Sequence, residues 1–208
     1  MMKKSRFSFL ALLFSGVLLM AGCAMTSQPP ATLYDLGPLS SMPTERTLTP
    51  EIPPLVIFRV QSPEWLNNSM MYYRLGHVNE QQTRFYTQSR WNMSPPKLFR
   101  ERLRARIAAA GGELGGERSR DREQLRIIVH VEDFSQYFYD DSNSEARISV
   151  RATLLDRDGA VSQKVFFQAA PAKTPDAPGG AQALSVATDA LITEMFYWIV
   201  EACQSPRS

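Results

Sequence analysis

Apolar and polar residues alternate along several stretches of the chain, and a period of two is typical of half-buried β-strands. Residues 125–132, 146–155 and 161–169 follow this pattern and predict three successive strands, joined by sequences typical of turns. Residues 55–60, LVIFRV, are rich in β-branched and aromatic side chains and follow two prolines, so they predict another strand. A short strand is expected at residues 32–36. The successive strands indicate a sheet built from antiparallel hairpins.

Two helices are predicted from apolar residues that recur every three or four positions. The first begins after Ser94, has prolines in its first turn and ends at Gly111-Gly112. Its core face consists of Phe99, Leu103, Ile107 and Ala110, and the arginines at positions 100, 102, 104 and 106 are expected to point away from the core. The second helix is predicted from about residue 181 to 202, with an apolar stripe of Leu184, Ala187, Leu191, Met195, Trp198 and Ile199.

Residues 69–90 contain two aromatic runs, MMYY and RFY, separated by the polar sequence HVNEQQ, and this arrangement predicts a hairpin. The pattern as a whole predicts an α+β domain, in which one antiparallel β-sheet is packed by two principal helices. A chain of this length can bury enough apolar surface to fold without a metal or a disulfide.

The first twenty-three residues have the layout of a signal peptide. The opening MMKKSR is basic, and residues 7–20 form an uncharged run that is too short to span a bilayer comfortably. The run ends in Met20-Ala21-Gly22-Cys23, which resembles the bacterial lipoprotein signal. We therefore expect cleavage after Gly22 and a diacylglyceryl group on the Cys23 thiol. An ordinary secretory signal with an incidental cysteine is the alternative.

The predicted organisation is a lipoprotein signal peptide at residues 1–22, a lipidated tether at 23–32 and a single domain at 33–208. The tether lacks hydrophobic periodicity and contains two adjacent prolines, as expected for a spacer. Two or three acyl chains hold a protein on a bilayer almost permanently. In bacterial lipoproteins an Asp after the lipidated cysteine favours the inner membrane. The resemblance to that signal, with Ala24 at this position, therefore implies the inner leaflet of the outer membrane, with the domain facing the periplasm.

The charge and the cysteine content of the chain argue against some classes of protein. The 23 Lys and Arg residues exceed the 21 Asp and Glu residues, but three of the basic residues lie in the predicted signal peptide. A nearly neutral mature chain argues against nucleic-acid binding and gives no sign of a polybasic membrane patch. An acylated Cys23 cannot bond to Cys203, so no internal disulfide is expected. Cys203 is interpreted either as a pairing site for another chain or as a small apolar residue on the terminal helix.

Groups suited to catalysis are few. Of the two histidines, His77 lies in a predicted polar turn and His130 at an outward position of a strand. The chain contains no G-x-S-x-G, H-E-x-x-H, C-x-x-C or P-loop motif. We therefore predict a protein that is not an enzyme, with no catalytic residues, metal ligands or cofactor-binding residues.

Aromatic residues are concentrated at positions 65–91 and 134–139. Core packing explains many such residues, but neighbouring residues on a strand point to opposite faces, so some of the second group should reach the surface. Aromatic side chains are enriched in interfaces. The predicted partner contacts are Tyr72, Tyr73, Trp91, Tyr137, Phe138 and Tyr139.

Several motifs follow the lipoprotein signal in a fixed order. They are Tyr34-Asp35-Leu36, Met71-Tyr72-Tyr73-Arg74, Trp91 shortly before Pro95 and a helix, and a terminal helix that ends in Phe196-Tyr197-Trp198-Ile199. In order and spacing they resemble the ABC-type transport auxiliary lipoprotein family, to which the lipoprotein of the paraquat-inducible (Pqi) system belongs. The resemblance covers most of the mature chain.

The resemblance implies an accessory or docking subunit of an intermembrane lipid transport system that maintains the envelope. Such lipoproteins work with mammalian-cell-entry (MCE) domain proteins and an inner-membrane permease. The implied partners are the membrane, through acyl chains on Cys23, an MCE-domain protein and neighbouring copies of the chain. The alternative is a periplasmic carrier that holds a lipid acyl chain in its own cavity, which would need roughly several hundred Å³.

Overall fold

The computed structural model describes residues 30–39, 54–112, 125–156 and 159–204. Residues Ala31–Ser208 form one compact unit. In chain order the elements are β1 (Thr32–Tyr34), β2 (Leu55–Gln61), a 3-10 turn (Glu64–Leu66), β3 (Met70–Leu75), α1 (Gly76–Asn79), β4 (Glu80–Trp91), α2 (Pro95–Ala109), β5 (Leu125–Phe138), β6 (Ser144–Leu155), β7 (Ala160–Pro171) and α3 (Ala177–Gln204). The predicted α+β class is confirmed.

The seven strands form one sheet in the order β1-β4-β3-β5-β6-β7, with β2 also paired to β5. The predicted hairpins β3–β4, β5–β6 and β6–β7 are antiparallel. The sheet is nevertheless mixed and not purely antiparallel, because β1 runs parallel to β4 and both β2 and β3 run parallel to β5.

Strands β2 and β3 lie one after the other along the same edge of the long strand β5. β2 pairs with residues 125–130 of β5, and β3 pairs with residues 135–138. The 3-10 turn separates them and places Leu66, which is fully buried, in the core. The arrangement brings the aromatic residues of β3 beside those at the end of β5.

Local sequence explains both ends of α2. Ser94 has an extended backbone before two prolines, which suit the first turn because they lack an N–H that would be left unpaired. At the other end Gly111 adopts φ 74°, and the Gly112 N–H donates to the Ile107 carbonyl at 3.0 Å. This is the glycine-dependent termination that the sequence predicts.

Helix α3 begins earlier than the pattern predicts, at Ala177. The Asp176 carboxylate accepts a hydrogen bond from the Gly179 backbone N–H at 2.9 Å and caps the helix. The Pro-Gly-Gly sequence of the first turn resembles a loop, which explains the difference. By length and composition α3 could cross a membrane, but 61% of its apolar window is buried in the domain, as in a core helix.

Helices α2 and α3 pack on one face of the sheet, which we call the covered face. Their apolar stripes join a single core cluster with the alternate residues of β5 and β6, including Ile127, Val129, Ile148 and Val150. The opposite face, which we call the bare face, carries mostly half-buried or exposed residues, and Ser135 of β5, at 1% exposure, is an exception. On this face Val165 and Phe167 of β7 are each 56% exposed.

Candidate docking site

The six predicted contact residues lie on β3, β4 and β5 or directly after β5, but the sheet divides them between its two faces. Trp91 is 1% exposed and its ring packs against Phe134 at 5.4 Å between centroids. Phe138 is 7% exposed and packs against Tyr73 at 5.8 Å. Trp91 and Phe138 are therefore core residues, and the prediction that they contact a partner is corrected: they offer almost no surface.

Tyr73 points toward the covered face and belongs to a network beneath the start of α3. Its ring contacts that of Tyr86 at 4.8 Å. The Tyr86 hydroxyl donates to Gln136 Oε1 at 2.9 Å, and Gln136 Nε2 donates to Ser144 Oγ at 2.8 Å. Burial of the hydroxyl raises the pKa of Tyr86 above its ordinary value, and the neighbouring Tyr73 adds a smaller increase. This network supports the fold around α3.

Tyr72 points the other way and is held by the loop before β3. Its ring meets that of Trp65 edge-on at 5.1 Å. Its hydroxyl accepts a hydrogen bond from Asn68 Nδ2 at 2.9 Å. The neighbouring residue on β4, Phe85, is 44% exposed. Tyr72 is thus fixed and half-buried, and Phe85 offers more surface.

The remaining two predicted residues are the half-buried Tyr137 and the exposed Tyr139, and they form a cluster with the half-buried Arg147 of β6. The Arg147 guanidinium lies 3.4 Å from the Tyr137 ring centroid and 5.7 Å from that of Tyr139. The two rings meet edge-on at 5.2 Å. Glu145 Oε1 accepts from Arg147 Nε at 2.8 Å and holds the guanidinium in place. An arginine side chain that is already stacked and ion-paired loses little conformational freedom when a partner binds. The cluster is therefore preorganised for contact.

Helix α1 and the start of β4 complete this surface, which we call the tyrosine–arginine cluster: Tyr137, Tyr139, Arg147, Glu145 and Glu80. The Tyr137 hydroxyl donates to Glu80 Oε2 at 3.2 Å. Partial desolvation raises the pKa of Tyr137, and the hydrogen bond to the Glu80 carboxylate raises it further. Gly76 lies under this ring, since a Cβ at that position would fall 2.0 Å from the Tyr137 hydroxyl. Tyr139, at 52% exposure, presents the largest ring surface of the cluster.

A buried ion-pair network joins the two helices, and no local sequence pattern predicts it. Arg102 donates to both carboxylate oxygens of Asp189 at 2.7 Å, and Arg106 pairs with the same carboxylate. Arg102 and Arg106 are 5% and 6% exposed, so the expectation that they point away from the core is wrong. Burial favours a higher pKa for Asp189, but hydrogen bonds from Arg106 and Arg102 outweigh it and hold the pKa below its ordinary value.

The same network fixes the segment that follows β1. Arg102 Nη1 donates to the Gly37 carbonyl at 2.9 Å, and the Ser185 hydroxyl donates to the Leu36 carbonyl at 2.6 Å. The positively charged side chain of Arg102 therefore ties the start of the domain to both long helices. A long sequence separation between the partners explains why no local pattern predicts the contact.

An open groove of about 880 Å³ lies between the β1 segment and the start of α3. Leu33 and Val186 line it and are 66% and 57% exposed. Polar side chains, including Asp35, Asn92 and Lys173, line it as well. The groove has the volume of a ligand site, but its mixed and open lining differs from the enclosed apolar cavity that a lipid carrier needs.

The described residues contain no cluster of three or more His, Cys, Asp or Glu side chains able to hold a metal. His77 of α1 lies with its Nε2 atom 3.4 Å from Oδ1 of the exposed Asp141. His130 is a half-buried residue of β5. Cys203 is exposed and unpaired near the end of α3. Cys23 and the predicted signal peptide lie outside the described residues.

The scaffold is an α+β domain with one covered and one bare sheet face. The chain belongs to the ABC-type transport auxiliary lipoprotein family, whose model matches residues 34–196. It is therefore a lipoprotein of the bacterial envelope and an auxiliary component of a transport system. None of the curated protein sequences matches this chain.

Two solved structures share the fold. A protein from Xanthomonas campestris is 18% identical, with a TM-score of 0.68 over 83% of this chain and 97% of that chain. An uncharacterized protein is 15% identical, with a TM-score of 0.63 over 82% of this chain and 99% of that chain. At these identities the likeness is one of fold.

Proposed function

We propose that the chain is an accessory subunit of an MCE-type intermembrane lipid transport system. Acyl chains on Cys23 anchor it to the inner leaflet of the outer membrane, and the domain at residues 33–208 docks an MCE-domain protein in the periplasm. The domain does no chemistry of its own. Family membership supports the transport role, and the tyrosine–arginine cluster is the observation that carries the docking role.

The tyrosine–arginine cluster consists of side chains that contribute strongly to affinity when a partner buries them. Tyrosine and arginine dominate the energetic centres of protein interfaces because they bury large areas and keep a polar end for hydrogen bonds. Tyr137, Tyr139 and Arg147 are already packed against one another. Binding therefore orders few additional side chains, and more of the contact energy appears as affinity.

Tyr139→Ala should reduce recovery of the MCE-domain partner at least about tenfold, because truncation of a central interface tyrosine has an effect of this size. The measurement is affinity purification of the tagged full chain from crosslinked native envelopes, with quantitative mass spectrometry. Tyr139→Phe keeps the ring and should recover most of the partner. Gln163→Ala, at a distant exposed position of β7, is the matched control.

Unchanged partner recovery from Tyr139→Ala would contradict docking through this cluster. Recovery of a second copy of the chain, with loss of that species in Tyr139→Ala, would assign the cluster to association between copies instead. An absence of any MCE-domain protein from the wild-type sample would contradict the assignment to an MCE-type system.

A lipid carrier is the second candidate, and the groove of about 880 Å³ is the observation that favours it. Its open form and the polar side chains among its apolar ones make it less suited to an acyl chain than an enclosed apolar cavity would be. Extraction of the purified full chain should separate the two functions. A carrier would retain phospholipid in stoichiometric amount beyond its own anchor, whereas a docking subunit would not.

A further inference from the structure

Strand β7 lies at one end of the sheet, and its outer edge is open. One side of β7 pairs with β6, and no described strand pairs with the other side. The backbone N–H and C=O groups of an open edge can pair with any further strand, so proteins usually shorten, charge or cover long edges. β7 has 12 residues, and Lys164 is the one charged residue among them. The edge is therefore a surface to which another strand can add.

On the bare face, this edge carries apolar side chains. Val165 and Phe167 are each 56% exposed and are separated by one residue, so they point to the same side. On the neighbouring strand β6, Val165 lies opposite Arg151 and Phe167 lies opposite Ser149. The Arg151 guanidinium is paired with Glu132 at 3.0 Å. These neighbours leave much of both apolar side chains uncovered.

On the covered face, the same edge carries a set of polar groups held by helix α3. Gln168 Nε2 donates a hydrogen bond to Glu194 Oε2 at 3.2 Å. Lys164 Nζ lies 3.1 Å from Glu194 Oε1 and 5.0 Å from the centroid of the Phe166 ring. Lys164 and Gln168 thus lie on either side of Phe166 at the same distance in sequence, and one carboxylate bridges them. A two-fold rotation about Phe166 exchanges the positions of the lysine and the glutamine.

We propose that two copies of the chain pair antiparallel through β7, about a two-fold axis at Phe166. Both copies use the same edge, as in a closed symmetric dimer, and the two sheets become one. On the bare face Val165 of each copy lies opposite Phe167 of the other, and aromatic and β-branched residues form favourable cross-strand pairs. The pairing depends neither on acylation of Cys23 nor on an MCE-domain partner, so it can fail without the proposed function.

The charges of the covered face fit the same axis. Lys164 lies opposite Gln168 of the second copy, beside the Glu194 carboxylate that this glutamine binds. Each ammonium group therefore has a carboxylate of either copy within reach. The axis gathers two ammonium groups and two carboxylates, so no net charge is buried between the copies.

Other registers of the two strands are less favourable. An axis at Lys164 places two lysines opposite each other, and like charges in this position are destabilising. An axis at Val165 places each Phe167 opposite a glutamine. An axis at Phe167 leaves residues 160–162 of each copy unpaired. An axis between two residues places side chains of the bare face opposite those of the covered face.

The test uses two differently tagged full chains, both with Cys203→Ser, expressed together in the native host. One copy carries Val165→Cys and the other Phe167→Cys, and isolated envelopes are oxidised with copper phenanthroline. Mass spectrometry identifies the linked peptides, so a disulfide between positions 165 and 167 is distinguished from one that involves Cys23. Residues directly opposite each other have Cβ atoms about 5 Å apart, whereas diagonal ones are about 7–8 Å apart. A disulfide needs about 4 Å.

Two controls follow from this geometry. Val165→Cys in both copies tests the register, because these positions are diagonal and should link poorly. Thr87→Cys in both copies, at an exposed position of β4, measures links formed by chance collision. We expect the link between 165 and 167 to exceed both controls at least about tenfold, since only this pair can reach disulfide geometry.

A second measurement uses two tagged copies without added cysteines. Phe167→Lys in both should lower recovery of one copy with the other at least about tenfold, because each ammonium group would be buried opposite Val165. Thr87→Lys is the matched control and should leave recovery unchanged. A link between 165 and 167 no stronger than the controls, a link from position 165 to a different protein only, or full recovery from Phe167→Lys would overturn the proposal.

Discussion

The two faces of the sheet differ in what their side chains do. On the covered face, Phe134, Ile148 and Val150 are fully buried in one core with α2 and α3. On the bare face, side chains of the same chemical types, Phe167 and Val165, are more than half exposed. The comparison shows that an aromatic residue in a strand has no fixed role. Its face decides whether it stabilises the fold or remains available for a partner.

The largest expected effect is a difference in the free energy of unfolding between a substitution on the covered face and one on the bare face. Phe134→Ala removes a fully buried ring and should lower the free energy of unfolding by about 3–5 kcal/mol. Phe167→Ala, on the bare face, should lower it by about 1 kcal/mol or less. Urea denaturation of both variants measures the difference. Equal losses would show that the bare face is covered in the folded protein, and the comparison would fail.

The second effect concerns the ion-pair network that joins α2 to α3. Asp189→Ala leaves two arginines in the core without their carboxylate and should cost about 3 kcal/mol of unfolding free energy. The matched control is Glu145→Ala, because its partner Arg147 is 27% exposed by side chain and can be solvated. A loss from Glu145→Ala as large as that from Asp189→Ala would contradict the distinction between buried and surface ion pairs.

The Asp189 carboxylate should also make the free energy of unfolding depend on pH. Because the pKa of Asp189 is lower in the folded than in the unfolded chain, its stabilisation is fully present above the ordinary Asp pKa of about 3.9. It is lost as the pH falls through the lowered folded value. Unfolding free energies measured across this acid range should fall less steeply in Asp189→Asn than in the wild type. Parallel curves for the two proteins would exclude this residue as the source.

The smallest effect on stability is expected at Gly76. A Cβ added there would fall 2.0 Å from the Tyr137 hydroxyl, which lies at the far end of a side chain that can move. Gly76→Ala should therefore change unfolding free energy by less than about 1 kcal/mol while displacing the Tyr137 ring. We expect reduced recovery of the MCE-domain partner from a stable protein. Normal recovery, with the ring shown to be displaced, would remove Tyr137 from the docking surface.

Local patterns predicted most of the fold. The alternation in residues 125–131 and 146–155 matches buried positions of β5 and β6, because each strand has one face in the core. The apolar stripe of α3 is buried as predicted. The parallel pairing of β2 and β3 with β5 was not predicted, since it joins distant segments and depends on a 3-10 turn without a strong sequence signal.

The candidate site was harder to predict for the same reason. The density of aromatic residues pointed to the half-buried Tyr137 and the exposed Tyr139, but also to Trp91, which packs on Phe134 in the core. A strand residue's face depends on register, and the register of β5 shifts between Val131 and Asp133. The partners of Arg102 and Tyr137, Asp189 and Glu80, lie far away in sequence. Such contacts follow only from the folded structure.

The central claim is that the bare face, at the tyrosine–arginine cluster, receives the transport partner. The most direct test places a photoreactive phenylalanine analogue at Tyr139 or at Tyr197 of the full chain in native envelopes. The two positions are similar aromatic residues at 52% and 39% exposure, on opposite sides of the domain. The account predicts that the probe at position 139 captures an MCE-domain protein and that the probe at 197 does not. Capture of that protein at position 197, with none at 139, would contradict it.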